Sequence, residues 1–244
     1  ETLQLAVVAL RRQRLTLSAI ASQLSLSRSS VARICGRAGL SRLSKLDPVP
    51  HYPRYERAQP GGLLHLDVKK LGRILKVGHR ITGDRTQRAR NIGWEHVFVA
   101  IDDHSRIAFT QMYPDEKKES AVAFLQEATR YFAGLRVPIQ RLITDNGPAF
   151  HSAAFGEACL TLGIAQKFTR AYRPQTNGKA ERFIQSALRE WAYGRAYQHS
   201  DERRAALPAW NHFYNWHRQH HGIGCLPPMS RLSASRKNVL TLHT

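Results

Sequence analysis

The chain has 244 residues, of which 42% are hydrophobic, a share that supports a folded core and argues against global disorder. Its net charge of +19 at pH 7, carried mostly by Arg, indicates a polyanionic partner, and nucleic acid fits an Arg-rich chain better than a membrane surface does. The three Cys residues form no C-x-x-C pair and no apolar run approaches the roughly 18 residues of a membrane span, which argues against a disulfide framework, a Cys-rich zinc site and a transmembrane class.

Four consecutive parts are predicted along the chain: a helical domain at 1–46, a linker at 47–62, a catalytic core at 63–200, and a C-terminal helix with a basic tail at 201–244. No signal peptide is visible, and a reducing cytoplasm suits the scattered cysteines. Because the chain begins with Glu1 rather than Met, an upstream segment is expected.

Residues 1–46 are predicted to form a small all-helical domain. Apolar residues between positions 17 and 34 have the spacing of a helix-turn-helix, in which two short amphipathic helices are joined by a tight turn. Ser25 lies where this turn often has Gly, and Ser27 is a good N-cap for the second helix. In this motif the second helix enters the major groove, so DNA contacts are predicted for Arg28, Ser29, Ser30 and Arg33. The alternative is a plain three-helix bundle with a solvated basic face.

The core is predicted from changes in hydrophobic periodicity after the Pro- and Gly-rich linker. Strands are expected at 63–70, 95–101, 107–113, 141–144 and 164–168, and helices at 120–132, 153–162, 178–197 and 202–221. The basic, Gly-containing residues 71–93 are interpreted as an insertion. Three antiparallel strands followed by alternating helices and strands predict an α/β fold, with a five-stranded sheet of mixed direction and flanking helices.

Three acids occupy positions of interest in this core. Asp67 lies inside the first strand, and Asp145 lies at the C-terminal end of the fourth, where α/β sheets commonly place ligand sites. Glu181 precedes Ile184 by three residues and is expected to head the inward-facing stripe of its helix. Taken singly, each acid has an ordinary alternative: a polar-face strand residue, a turn Asp before Asn-Gly, and an ion-pair partner of Lys179 or Arg182.

A divalent metal would resolve the repulsion among three converging carboxylates. Hard oxygen ligands suit Mg²⁺ or Mn²⁺, and two ions about 3.5–4 Å apart would bind the attacking and leaving oxygens of a phosphoryl displacement. Further DNA contacts are predicted close to these acids, at Asn146, Gln175, Asn177 and Lys179, although these residues also suit a simple turn. Asp102 and Asp103 could supply a fourth metal ligand, but they are interpreted as turn-forming acids beside Ser105.

The three acids stand within motifs that resemble the retroviral-integrase-like D,D-35-E transposases. The motifs are D-N-G at 145–147 and R-P-Q-T-N-G-K-A-E-R-F at 173–183, and thirty-five residues separate Asp145 from Glu181. Three more segments make the chain similar to the IS481-type bacterial insertion-sequence transposases: L-H-L-D-V-K-K-L-G-R at 64–73, A-I-D-D-H-S-R at 100–106 and Y-N-W-H-R-Q-H at 214–220. The resemblance covers about residues 15–232.

The resemblance implies a ribonuclease-H-like integrase catalytic core in which Asp67, Asp145 and Glu181 are the catalytic residues and metal ligands. It implies Mg²⁺-dependent (or Mn²⁺-dependent) DNA cleavage and strand transfer at insertion-sequence ends, by homo-oligomers acting on DNA in the bacterial, nucleoid-associated cytoplasm. Two alternatives stay open: a DNA-binding regulator or domesticated element with an inactive core, and a plain metal-dependent nuclease. The three intact acids argue against the first, and a separate DNA-reading domain argues against the second.

Overall fold

The computed structural model describes residues 2–46, 55–77, 83, 92–169 and 177–232. The chain divides into two compact units, with the boundary between Tyr55 and Glu56. Several predicted segments fall partly outside the described residues: most of the linker at 47–62, much of the basic segment at 71–93, the start of the motif at 173–183 and the end of the tail at 201–244.

The first unit contains three helices, α1 (Thr2–Arg12), α2 (Leu17–Gln23) and α3 (Arg28–Arg37). They enclose a small core of Val7, Ile20, Ala21, Val31 and Cys35. Ser25 adopts a φ of 52° in the turn between α2 and α3, the left-handed conformation that glycine adopts most easily. The Ser27 hydroxyl accepts a hydrogen bond from the Ser30 amide at 3.1 Å, which confirms Ser27 as the N-cap of α3.

A buried arginine fastens α1 to the rest of this unit. The Arg11 guanidinium donates to the carbonyl oxygens of Leu15 at 2.8 Å, Leu40 at 3.0 Å and Ser41 at 2.9 Å. Because a buried guanidinium needs partners for its donors, these three carbonyls make the buried charge tolerable. The contacts tie α1 to the segments that follow α1 and α3.

The second unit is built on one five-stranded sheet. Its strands are β1 (Leu64–Gly72), β2 (Trp94–Asp102), β3 (Ala108–Tyr113), β4 (Arg141–Thr144) and β5 (Ala165–Phe168), in the spatial order β3-β2-β1-β4-β5. Neighbouring strands are antiparallel from β3 to β1 and parallel from β1 to β5. The predicted mixed five-stranded α/β sheet is therefore confirmed.

Helices cover both faces of this sheet. On one face, α4 (Lys118–Gly134) and α5 (Ala153–Thr161) pack in a core that includes Leu64 and Leu66 of β1. On the other, α6 (Gly178–Ala187) and α7 (Ser200–Trp216) pack in a core that includes Leu71. Because side chains alternate along a strand, the odd-numbered positions of β1 all point towards the α6 side.

The last two helices depart from their predicted bounds. The helix expected at 178–197 is α-helical only as far as Ala187 and continues as a π-helical turn, Leu188–Ala192. The Tyr193 amide donates to the Leu188 carbonyl at 2.9 Å, a five-residue step that side-chain periodicity does not reveal. The helix expected at 202–221 begins earlier, at Ser200, and ends at Trp216.

The helices of the described ranges are short or carry many polar residues. None of those helices combines the length and the apolar character that crossing a bilayer requires.

Candidate active site

Asp67 and Asp145 occupy equivalent positions on two neighbouring parallel strands. The pairing of β1 with β4 places Leu64 opposite Leu142 and His65 opposite Ile143. The same offset brings Asp145, the first residue after β4, level with Asp67. Asp67 is half-buried within β1, whereas Asp145 is exposed. The fold thus brings together two acids that are far apart in the sequence.

Glu181 lies in the first turn of α6, the helix that packs over β1 and β2. Its side chain is exposed, which corrects the expectation that it heads the inward stripe. The buried stripe consists of Ala180, Phe183, Ile184 and Ala187. Glu181 is rotated about 100° from Ala180 around the helix and so falls at the edge of that stripe. The carboxylate therefore borders the buried face without being enclosed by it.

The charges of the other two acids act on Asp67. Burial, followed by the charges of Asp145 and Glu181, raises the pKa of Asp67 from its ordinary value of 3.8 to about 6. The Val68 amide opposes this by donating to the Asp67 Oδ1 at 2.8 Å. The three predicted acids thus share one electrostatic environment. Its chemistry fits a divalent cation, because a cation would relieve both the desolvation and the mutual repulsion.

The loop after β4 holds Asp145 in a tight turn. The Gly147 amide donates to the Asp145 Oδ1 at 3.0 Å. A β-carbon at Gly147 would also lie 3.0 Å from that oxygen, so glycine permits the close approach. The D-N-G motif therefore shapes the loop and presents a carboxylate at the same time.

No closed set of metal ligands is seen in the part of the chain that the structure describes. No three His, Cys, Asp or Glu side chains within the described ranges meet closely enough to hold a metal ion. The roles of Asp67, Asp145 and Glu181 as catalytic residues and metal ligands stay predictions.

A buried polar network lies beside Asp67, and its central residue, His65, is not among the site residues predicted from the sequence. His65 is fully buried, with its Nδ1 3.1 Å from the Asn177 Oδ1 and its Nε2 2.9 Å from the Asp103 Oδ1. Asp103 also accepts from the Lys179 ammonium and from the Arg57 amide. Burial acts to raise the pKa of Asp103, but its hydrogen bonds with His65 and Lys179 hold that pKa well below the usual range. His65 is also two residues from Asp67, a spacing that places both side chains on one face of a strand and was the available signal.

The turn between β2 and β3 supports this network. Asp102 accepts from the amide and the hydroxyl of Ser105, both at 2.7 Å, and from the Gly61 amide at 2.8 Å. The interpretation as a turn-forming acid is confirmed for Asp102. It does not describe Asp103, whose carboxylate contacts His65, Lys179 and Arg57 outside the turn.

The side chains predicted to contact DNA differ in their exposure to solvent. Arg28, Ser29 and Arg33 are exposed on α3, and Ser30 is half-buried there. Asn146 is exposed beside Asp145, and its amide nitrogen donates to the Thr169 carbonyl at 3.2 Å. Gln175 lies outside the described residues.

The two predicted DNA contacts at the start of α6 are engaged within the protein. Asn177 is buried, and its side-chain amide nitrogen donates to the carbonyl oxygen of Leu66 on β1. Lys179 is half-buried in its ion pair with Asp103. DNA contacts at these two residues stay predictions, and their positions give those predictions no support.

We predict that Asp67→Asn changes the pH dependence of folding stability in the metal-free protein. Because the folded-state pKa lies above the ordinary value, the folded state binds the proton more tightly between about pH 4 and pH 6. Stability from this group is therefore lost as the pH rises through that window, by up to about 2–3 kcal/mol. Urea unfolding in the presence of a metal chelator measures the free energy of unfolding at pH 4.5 and at pH 7. The stability of the variant relative to that of the wild type should be higher at pH 7. A stability difference that is independent of pH would contradict the assignment.

Comparison with known proteins gives a consistent result across the second unit. Two models of the family described as "Integrase core domain" match the chain, one over residues 58–174 and the other over residues 162–228. One relative is the protein named "Putative transposase for insertion sequence element IS5376" of Geobacillus stearothermophilus, 26% identical over 164 residues. Another is the Gag-Pol polyprotein of avian reticuloendotheliosis virus, 30% identical over 90 residues.

The chain spans only part of each of these relatives. The first alignment covers 64% of this chain and 38% of the relative, and the second covers 37% of this chain and 8% of the polyprotein. Among solved structures, the chain is similar to a chain of the cryoEM structure of the simian T-cell lymphotropic virus intasome in complex with PP2A regulatory subunit B56 gamma. The TM-score is 0.56 at 17% identity, over 92% of this chain and 73% of that one. This likeness supports the ribonuclease-H-like arrangement of the sheet and its helices.

Proposed function

Because this chain belongs to the integrase core domain family, as an integrase-like insertion-sequence transposase, we propose that it is a polynucleotidyl transferase. In this proposal it cleaves DNA at the ends of an insertion sequence and joins the freed 3′ ends to target DNA. The reaction depends on a divalent metal. The observation that carries the proposal is the pairing of β1 with β4, which brings Asp145 level with Asp67, together with the packing on β1 of the helix that carries Glu181. The charges of Asp145 and Glu181 both act to raise the pKa of Asp67.

The three carboxylates have defined parts in this proposal. Asp67, within β1, Asp145, directly after β4, and Glu181, in the first turn of α6, would hold Mg²⁺ or Mn²⁺, with two ions expected. The bound ions supply Lewis-acid activation of the phosphodiester and neutralise charge that develops during the displacement. Asp67, the most buried of the three, fixes the site to the centre of the sheet. Glu181, exposed on a separate element, completes the set from the helix side.

DNA is the proposed partner of both units. The net charge of +19 and the exposed Arg28 and Arg33 of α3 support binding to a phosphate backbone, with α3 as the recognition helix of a helix-turn-helix. We further propose that several copies act together on DNA. The fold similarity to an intasome component supports this assembly.

The test is an assay with candidate end oligonucleotides, a target duplex and Mg²⁺, scored separately for nicking and for joining. Joined products support a transposase or integrase. Nicking without joining would instead identify a metal-dependent nuclease. Specific binding of the ends with neither reaction would favour a DNA-binding regulator with an inactive core.

We predict that replacing Arg28 and Arg33 together with Ala weakens binding to the cognate DNA ends by at least about 30-fold, since contacts of this kind are worth roughly 1–3 kcal/mol each. The slope of log affinity against log salt should also become shallower, by about one for each phosphate that the variant no longer neutralises. Fluorescence anisotropy across a salt series measures both quantities.

A matched control removes the same charge elsewhere. Lys117 and Lys118 are exposed before and at the start of α4, and their double replacement with Ala also lowers the net charge by two. If this control weakens end binding as much as the α3 variant does, α3 is not a dedicated DNA-reading helix.

A further inference from the structure

The residue that begins α6 is turned away from its own helix. Asn177 is the N-cap of α6, yet its side chain makes no capping hydrogen bond. Its amide nitrogen instead donates to the Leu66 carbonyl at 3.0 Å, and its Oδ1 lies 3.1 Å from the His65 Nδ1. An N-cap asparagine ordinarily accepts from the amides of the first helical turn, so this side chain serves another purpose here.

That side chain connects the helix of one predicted ligand to the strand of another. Its two partners, His65 and Leu66, are the residues immediately before Asp67 on β1. Glu181 follows Asn177 by four residues, which places the two about one helical turn apart on the same side of α6. Asn177 therefore attaches the start of the helix that carries Glu181 to the strand that carries Asp67.

The imidazole ring of His65, which contacts Asn177, is held through both of its nitrogens. Nδ1 faces Asn177 and Nε2 faces Asp103, so the imidazole is fixed between α6 and the turn after β2. Asp103 also binds the ammonium of Lys179, a second residue in the first turn of α6. All three central residues are buried, with His65 and Asp103 fully so and Asn177 4% exposed. The start of α6 thus has two attachments, one to β1 through Asn177 and one to the turn after β2 through Lys179, and the His65–Asp103 contact links them.

We propose that His65, Asp103 and Asn177 are positioning residues that hold Glu181 at a fixed place relative to Asp67 and Asp145. In this proposal they act through α6 without touching metal, and the positioning role of the buried Asn177 takes the place of its predicted DNA contact. The idea rests on the proposed function, because it assigns Glu181 to the metal site. Partners of this kind behind metal ligands typically change metal affinity or activity by about 10- to 100-fold when they are replaced.

The test uses Asn177→Ser, which separates positioning from helix stability. Serine is as good an N-cap as asparagine, so it can cap α6, but it is too short to bridge to both His65 and Leu66. We expect the Mg²⁺ concentration for half-maximal thermal stabilisation to rise by about 10-fold or more, and joining to slow by about 10- to 100-fold. Affinity for the DNA ends should stay within about twofold of wild type, since phosphate contacts dominate that affinity.

Asn215→Ser is the matched control. Asn215 is 1% exposed on α7, and its amide bridges both the N–H and the carbonyl of Ala108 on β3, each at 2.8 Å. It anchors a helix to the same sheet by the same chemistry, away from the three acids. This variant should lose stability while keeping the wild-type Mg²⁺ midpoint. If Asn177→Ser does not fold, His65→Gln carries the same test, because glutamine cannot fix both partners of the imidazole.

The outcomes separate this idea from the proposed function. If Mg²⁺ stabilises the wild type against heat but the wild type neither nicks nor joins DNA, the proposed function is wrong. The Mg²⁺ midpoints of the wild type and Asn177→Ser then still test the positioning role. An Asn177→Ser variant with the wild-type midpoint and joining rate, or a control equally impaired, overturns the positioning role alone. A wild type without any Mg²⁺ response overturns both.

Discussion

Replacing Asp145 with Asn is expected to abolish Mg²⁺-dependent joining of DNA ends, with a loss of at least about 1,000-fold, or roughly 4 kcal/mol of transition-state stabilisation. The substitution removes one of three charges that are proposed to hold the metal, and the amide that replaces it is a neutral and weaker ligand. A single-turnover assay with pre-formed 3′ ends measures the joining step directly.

The fold should survive this change because the turn does not need the charge. The oxygen that accepts from the Gly147 amide at 3.0 Å is retained in asparagine. Asp145 is also exposed, so no buried group is left without a partner. Binding to the DNA ends is therefore expected to remain nearly intact.

Asp201→Asn is the appropriate control, because Asp201 is an exposed acid in the first turn of α7 and its loss changes the net charge equally. It should join ends at the wild-type rate. If the Asp145 variant also joined ends at that rate, the assignment of Asp145 to the metal site would be wrong, whatever the behaviour of the other two acids.

The sequence predicted the sheet because local patterns were sufficient for it. Alternating residues around Asp67 identified β1, and β4 was predicted with the bounds that it has in the structure. Two antiparallel strands, β2 and β3, and then one helix, α4, lie between β1 and β4 along the chain, and this crossover allows β4 to pair with β1 in parallel. The neighbourhood of Asp67 and Asp145 was therefore within reach of sequence reasoning.

What the sequence did not reveal depends on contacts between distant residues. The exposed position of Glu181 depends on which side of α6 packs against the sheet. Periodicity alone does not decide whether a residue at the edge of the apolar stripe is buried or exposed. Likewise, Asn177 has the sequence context of a cap or turn residue, and only its distance to His65 shows that it is used as an anchor.

The ion pair between Glu95 and Arg203 was missed for the same reason. Glu95 lies near the start of β2 and Arg203 lies in α7, and both are almost completely buried. Their Oε2 and Nη2 atoms are 2.6 Å apart, and the same Nη2 donates to the Gly72 carbonyl at the end of β1, at 2.7 Å. This pair fastens α7 to two strands of the sheet, and hence helps to retain the layer in which α6 lies.

Arg203→Met is expected to destabilise the folded chain by about 3–5 kcal/mol, because it leaves the Glu95 carboxylate buried without its main partner. For a chain of this size that corresponds to a fall in Tm of roughly 6–20 °C. Chemical denaturation at neutral pH, followed by circular dichroism, measures the loss directly. Joining activity at low temperature should persist, since neither residue belongs to the proposed metal site.

Two further variants isolate the buried charge as the cause. Arg204 contacts the same carboxylate at 3.3 Å but is half-exposed, so Arg204→Met should cost no more than about 1 kcal/mol. The double variant Arg203→Met with Glu95→Leu removes both buried charges. Because two Arg203 guanidinium nitrogens are buried with no hydrogen-bond partner among the described residues, much of the lost stability should return in the double variant. A double variant that is no more stable than Arg203→Met would show that the unpaired Glu95 carboxylate is not the cause of the lost stability.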